Sequence, residues 1–290
     1  MNEVIKVRKF ITCILIVCML GISTLSYADT EDNIVVTLGN DLTDQQKKQM
    51  LEFFNVDENV RIVYVTNQEE RDYFGEYIDE SLIGRKALSS AYVEKLPAGS
   101  GITVETHNIF WVTEDMYRNA CITAGIEDAK IVVGCPVRVS GTAALTGIIK
   151  AFEDASGEKI TEEEKKTASE EIVITAELGE AIGKEKAQEL INSVKVYIID
   201  KNIKDKDSIE KVIREIAEDL SIQLTQEQID QIISLMQKVS KLDLDIDKIK
   251  EQLKDISGKI DQVLQQNIEV KSLLQRILDA VINFFNRLFG

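Results

Sequence analysis

Ser140-Gly141-Thr142 is the stretch of this chain where residue types and spacing most suggest chemistry. An apolar run, Ile131 to Val133, ends at Gly134 and Pro136, and the small-residue turn follows. From Ala143 to Phe152, the residues Leu145, Ile148, Ile149 and Phe152 fall on one helical face. Strand, tight turn and helix make an α/β unit, in which a ligand sits where the strand's carboxyl end faces the helix N-terminus. Backbone N–H groups and two hydroxyls at that point suit a phosphate, carboxylate or sulfate. The same three residues also serve as a plain turn with Ser140 as N-cap, and the Gly-rich spacings of nucleotide loops are absent.

Glu105 and His107 are the second candidate pair. They lie on a segment where Ile102, Val104 and Thr106 alternate with Thr103, Glu105 and His107, as in a half-buried strand. An enzyme or small-anion receptor would bring Ser140, Gly141, Thr142, Glu105 and His107 into one concave pocket. His107 is the only histidine. That excludes multi-His zinc sites, and with no G-x-S-x-G there is little support for a serine hydrolase. Asp243, Asp245 and Asp247 have the opening spacing of a calcium loop, but Lys248 and Lys254 replace the Gly and Glu that loop requires. They read as a solvated helix start. No catalytic residue, metal or cofactor is expected, and a binding role is favoured over an enzymatic one.

The elements that would position these groups follow from pattern and punctuation. Ile34 to Leu38 and Val60 to Val65 read as strands, with Thr43 as N-cap of the helix between them. Asn67-Gln68-Glu69-Glu70 has capping-box spacing for a helix through Tyr73, Phe74 and Tyr77. Ala87–Lys95 and Ile102–Val112, either side of Pro97-Ala98-Gly99-Ser100-Gly101, read as a β-hairpin with a long loop. Thr113 caps a helix that Gly125 ends. Past Thr161 there is no proline and the pattern is helical. Helices are expected over Glu162–Ile182, Lys184–Lys201 and Asp205–Leu220, with another opening at the Thr225-Gln228 capping box.

Ile232 to Leu288 keep an a/d heptad register with Asn267 as its one polar a position, and Leu242-Asp243-Leu244-Asp245 is where a turn could split it. Leu274, Ile277, Val281, Phe284, Phe285 and Leu288 form a broad apolar face near the end. A globular core could absorb it; otherwise it would meet a protein partner, a second copy of the chain, or a membrane surface. The fold class is therefore an α/β (or α+β) N-terminal domain with a mixed sheet, then an all-α region with a long C-terminal amphipathic helix. The expected divisions are 1–28, 29–155, 156–240 and 241–290.

Residues 1–28 read as a secretory signal peptide. Lys6, Arg8 and Lys9 precede an apolar run from Phe10 to Leu25, and Ser26-Tyr27-Ala28 places small residues at −3 and −1. The run is short for a span of roughly 20 residues, so cleavage after Ala28 is expected rather than a retained anchor. Val17 before Cys18 does not suit a lipoprotein signal. Losing three basic and one acidic side chain takes the formal net charge from −16 to −18. So acidic a chain does not bind nucleic acid by its overall field, and its aromatics are not interleaved with basic residues. Cys121 and Cys135 would remain. A helix end and a strand position differing in height by roughly 10 Å exceed the 7 Å or so that a bridge tolerates, so two buried free thiols are expected.

VTNQEER (Val65–Arg71), GSGITVETHNI (Gly99–Ile109), NACITAGI (Asn119–Ile126), VSGTAALTGIIKAFE (Val139–Glu153) and ELGEAIG (Glu177–Gly183) resemble the secreted family of Gram-positive bacteria catalogued as domain of unknown function 1002. The resemblance spans essentially the whole chain beyond the leader. It implies an exported, envelope-facing protein and brings no established activity or catalytic residue.

Overall fold

The computed structural model describes residues 33–249, apart from 58, together with 252. Five strands form one mixed sheet: β1 (Ile34–Gly39), β2 (Arg61–Val65), β3 (Ser90–Lys95), β4 (Ile102–Ile109) and β5 (Ala129–Val139). Their order is β2-β1-β3-β5-β4. β1 and β2 pair in parallel, as do β4 and β5, while β3 runs antiparallel to both of its neighbours, β1 and β5. The expected β3–β4 hairpin therefore does not form. β5 inserts between the two strands, and Ile131 and Val133 are buried in the layer beneath the helices. An apolar central strand gains more by pairing on both edges than at a rim.

The helices along the sheet are α1 (Asp44–Phe53), α2 (Asn67–Phe74), α3 (Glu80–Ile83), α4 (Glu114–Thr123) and α5 (Thr142–Ser156). α5 lies across β1, β2 and β3, with Leu145, Ile148, Ile149 and Phe152 buried as the sequence predicts. α1 covers the opposite face, where Met50 and Phe54 close a small core with Val36 and Leu38. The capping box of α2 starts one residue earlier than expected, at Thr66 and Glu69. β5 also continues through Gly134 and Pro136, which were expected to end it. β3 stops pairing at Gly134, so beyond that point the missing N–H of Pro136 costs no bond on that side. Cys121 and Cys135 are both buried and free.

The helical half is built from α6 (Glu162–Ile182), α7 (Lys184–Asp200), α8 (Lys206–Asp219) and α9 (Gln226–Val239). Thr161–Glu164 and Thr225–Gln228 are complete capping boxes. α6 belongs to two cores. Ala168, Ile172, Val173 and Ala176 join the sheet's helix layer, and Ile174 and Leu178 join the core of α7, α8 and α9. α9 stops at Val239, and Asp245 accepts from the amides of Asp247 and Lys248 at a new helical turn, so the heptad register breaks at Leu242–Asp245. Ile232, Leu235 and Val239 from the register's start are core residues. The expected apolar face from Leu274 to Leu288 and the expected leader, residues 1–28, lie outside the described residues.

One polar cluster fastens the two halves together. Lys195 of α7 lies 2.5 Å from Glu171 of α6 and donates to Thr123 of α4 at 2.8 Å, while Thr123 donates to Glu171. Both charged side chains are 2% exposed. Breaking such a pair leaves a bare buried charge, whereas replacing both partners with apolar groups removes the desolvation cost as well. Lys195→Met is expected to destabilise the fold by about 3–5 kcal/mol, and Lys195→Met with Glu171→Leu to recover most of that loss in denaturant melts. A double variant as unstable as the single one would show that the charges themselves carry the packing.

Candidate functional site

The carboxyl ends of β1, β2, β4 and β5 share one edge of the sheet, because only β3 runs the other way. A cleft of about 400 Å³ opens there, between the α3–β3 connection and the start of α5. Ser140, Gly141 and Thr142 form part of its floor, as the sequence predicts for a strand-to-helix turn.

Ser140 does not cap the helix. The N-cap is Gly141, at φ 103°, and no side chain accepts from the first amides there in the usual way. Gly141 is required twice over. Its φ is in the left-handed region, and a Cβ would stand 2.3 Å from the Tyr117 hydroxyl and 2.6 Å from Ile109 Cγ2. Tyr117, fully buried on α4, donates to the Gly141 carbonyl at 2.6 Å. The Ser140 hydroxyl instead donates to the Leu82 carbonyl at 2.9 Å and sits 3.2 Å from the Thr142 hydroxyl.

The group that meets the start of α5 is Glu70, a residue the sequence reading placed in a capping box. The box actually uses Glu69, which leaves Glu70 on the inward face of α2, four residues before buried Phe74. Its carboxyl accepts from Thr142 Oγ1 at 2.5 Å, from Asn67 Nδ2 at 3.1 Å and from the Ala143 amide. A carboxylate is what a helix N-terminus attracts, and here the chain supplies its own. Glu69 pairs with Lys150 of α5 at 2.5 Å, so two consecutive acids tie α2 to α5. Burial dominates the titration of Glu70. It is 2% exposed, and desolvation lifts its pKa from 4.5 to about 7 against the lowering pull of Thr142, Asn67, Arg71 and the Ala143 amide.

Arg85 and Lys86 stand at the mouth on the α3–β3 connection, with Ser81, Ser89 and Phe110 also lining the cleft. Nothing in the local pattern marked Glu70, Arg85 or Lys86 for this place. The one usable signal was the i, i+4 pairing of Glu70 with Phe74, which points a carboxylate into an apolar face.

Glu105 and His107 do not join the cleft. They project from β4 toward the α1 face, where the His107 ring lies 4.9 Å from that of Phe53. Val104, the residue before Glu105, points the other way into the core under α4. Alternation along the strand therefore puts this second candidate pair on the far side of the sheet from the helix that starts at Thr142. Among the described residues no three His, Cys, Asp or Glu side chains gather as metal ligands, and no helix is long and apolar enough to cross a membrane.

The model of the family described as "Protein of unknown function (DUF1002)" matches residues 38–256. The chain belongs to that family. The match takes in every residue that lines the cleft. A curated relative, "Uncharacterized protein YpuA" of Bacillus subtilis (strain 168), is 41% identical over 272 residues, covering 93% of each chain. No solved structure matches.

Because the unfolded chain loses the Glu70 proton near pH 4.5 and the folded one near pH 7, this group favours folding below that window and contributes less as pH rises through it. The total is on the order of 3 kcal/mol. Glu189, also lifted to about 7 by burial, acts in the same direction, so the comparison must be between wild type and Glu70→Gln. The variant is expected to match wild type at pH 4 and to gain relative stability between about pH 4.5 and 7. Parallel stability profiles across that range would mean that Glu70 is ionised in the folded protein.

Proposed function

We propose that this chain is an exported, envelope-facing binding protein, with a ligand site in the cleft at the start of α5 and an interaction element in its C-terminal segment. The observation that carries the ligand site is the split between floor and rim of the cleft. The floor groups Glu70, Thr142 and Ser140 are hydrogen-bonded among themselves and to Leu82, whereas the rim presents Arg85 and Lys86 as exposed side chains. A preformed concavity with a few fixed polar groups is the general form of a small-molecule site. Binding is favoured over catalysis because Thr142 and Glu70, the hydroxyl and carboxyl that meet at the cleft floor as a nucleophile and base would, are 1% and 2% exposed and hold α5 on α2. The leader-like residues 1–28 and the acidic composition support export, and the resemblance in sequence supports the envelope.

The second element rests on the a/d register and on how the chain approaches it. Ile249 is buried, and Lys248 and Gln252 are bound to Glu127 on the α4–β5 connection, so the residues leading toward the tail are anchored on the body. The sequence spacing of Leu274, Ile277, Val281, Phe284, Phe285 and Leu288 supports contact with a protein partner, a second copy, or the surface of a bilayer.

Titrating the isotope-labelled chain from 29 to 290 with a panel of small polyols, amino acids and organic acids tests the cleft. Amide shifts confined to residues 81–89 and 139–143 are expected; shifts elsewhere, or none, would remove the site. Deleting residues 270–290 tests the tail. The melting temperature is expected to hold while self-association or vesicle binding is lost, and a large fall in melting temperature would make the tail part of the core instead.

A further inference from the structure

Anion recognition in this cleft cannot use the start of α5, because Glu70 already occupies it. Its carboxyl takes the Thr142 hydroxyl and the Ala143 amide, the donors an incoming anion would need. Charge recognition is therefore left to the mouth.

The mouth is built for it. The connection that carries Arg85 and Lys86 is pinned on both sides of them. Arg71 donates to the Gly84 carbonyl at 2.6 Å, and Asp41 holds Ala87 from both directions, accepting from its amide at 2.9 Å and donating its own amide to its carbonyl at 3.2 Å. Gly39 makes room for this: a Cβ there would stand 2.3 Å from the Ala87 carbonyl oxygen. The two residues between the pins are exposed and bonded to nothing among the described residues. Acidic side chains outnumber basic ones by 50 to 34, and Lys150, Lys165, Lys195, Lys238 and Lys248 all have carboxylate partners. Two adjacent cations kept free on a fixed loop, over a concave site in an acidic body, are a local reversal of the protein's field.

We infer that the cleft takes a small anionic molecule bearing hydroxyl groups, a phosphate ester or a carboxylate, with its charge held between Arg85 and Lys86 and its hydroxyl end toward Ser140 and Ser89. The inference rests on the cleft being a ligand site, as proposed above. Arg85 supplies the planar fork that suits phosphate and carboxylate oxygens, and Lys86 a second charge. The apolar wall of Leu82, Leu88 and Phe110 leaves room for a carbon skeleton between them. Pinning the loop before the ligand arrives reduces the ordering cost of binding.

The test uses the chain from 29 to 290 with four probes: glycerol 3-phosphate, glycerate, inorganic phosphate and glycerol. Affinities come from calorimetry and the site from amide shifts. Glycerol 3-phosphate or glycerate is expected to bind at least about tenfold tighter than glycerol, and to weaken as ionic strength rises. Arg85→Gln and Lys86→Gln should each cost about tenfold, and the double variant should bring both anions down to the level of glycerol. The ranking of phosphate ester against carboxylate names the source, and inorganic phosphate alone shows whether the hydroxyl end contributes. The melting temperature of the double variant should equal that of wild type, since neither side chain makes a bond in the fold. Glycerol binding as tightly as the anions, with cleft shifts and no effect of the double variant, would overturn the anionic class while leaving the ligand site. Shifts outside the cleft, or no binding by any probe at about 10 mM, would overturn both.

Discussion

The start of α5 is the point on which the rest of the architecture depends. Helix N-termini carry unpaired amides and partial positive charge, and most are satisfied by a local Ser, Thr, Asp or Asn. Here the residue before the helix is a glycine in the left-handed region, which turns the chain sharply out of β5 but offers no side-chain acceptor. The acceptor arrives from 72 residues earlier, as the carboxyl of Glu70. A buried carboxyl is costly unless hydrogen-bonded, and an uncapped helix start is costly unless given an acceptor; each answers the other. Tyr117 adds a third element by donating to Gly141. One junction therefore locates α2, α4 and α5 relative to the sheet.

The same junction explains why the cleft has a finished floor and an open rim. Its polar floor is committed to structure, so in the ligand site proposed above discrimination would fall to the α3–β3 connection over it. That connection is held by backbone carbonyls and amides through Arg71 and Asp41, which leaves the side chains of Arg85 and Lys86 exposed. Rigid support with unengaged side chains is the arrangement in which loops carry recognition. The opposite face of the sheet is different in kind. It is covered by the single helix α1, and its exposed groups, among them Tyr64 and Phe53, include the His107 contact rather than a concave polar site.

Beyond the sheet, α6 does for the helical half what β5 does for the strands. It is buried on two sides, with apolar residues directed to both cores. A helix shared in this way transmits packing between the halves, and the Lys195–Glu171–Thr123 cluster gives that packing a unique register. The family match, residues 38–256, begins in β1 and takes in the sheet, the cleft and the helical half together.

Local signals in the sequence determined most of the elements. Thr43, Thr113, Thr161 and Thr225 mark helix starts because an N-cap hydroxyl acts on amides two or three residues away. Glycines at 125, 141 and 157 mark turns because a positive φ is a property of a single residue. The strand-to-helix turn at Ser140–Thr142 was legible for the same reason, as was its place at a sheet edge. Strand neighbours were not. Alternation in β3 and β4 is the same whether they pair with each other or with β5, and only the burial of β5 on both edges decides between them. The acid that fills the start of α5, and the opposite-facing positions of Glu105 and His107, were also beyond local reading. Each depends on which side of an element meets which neighbour, and a one-residue shift in a capping box was enough to turn Glu70 from a surface cap into the buried centre of the site.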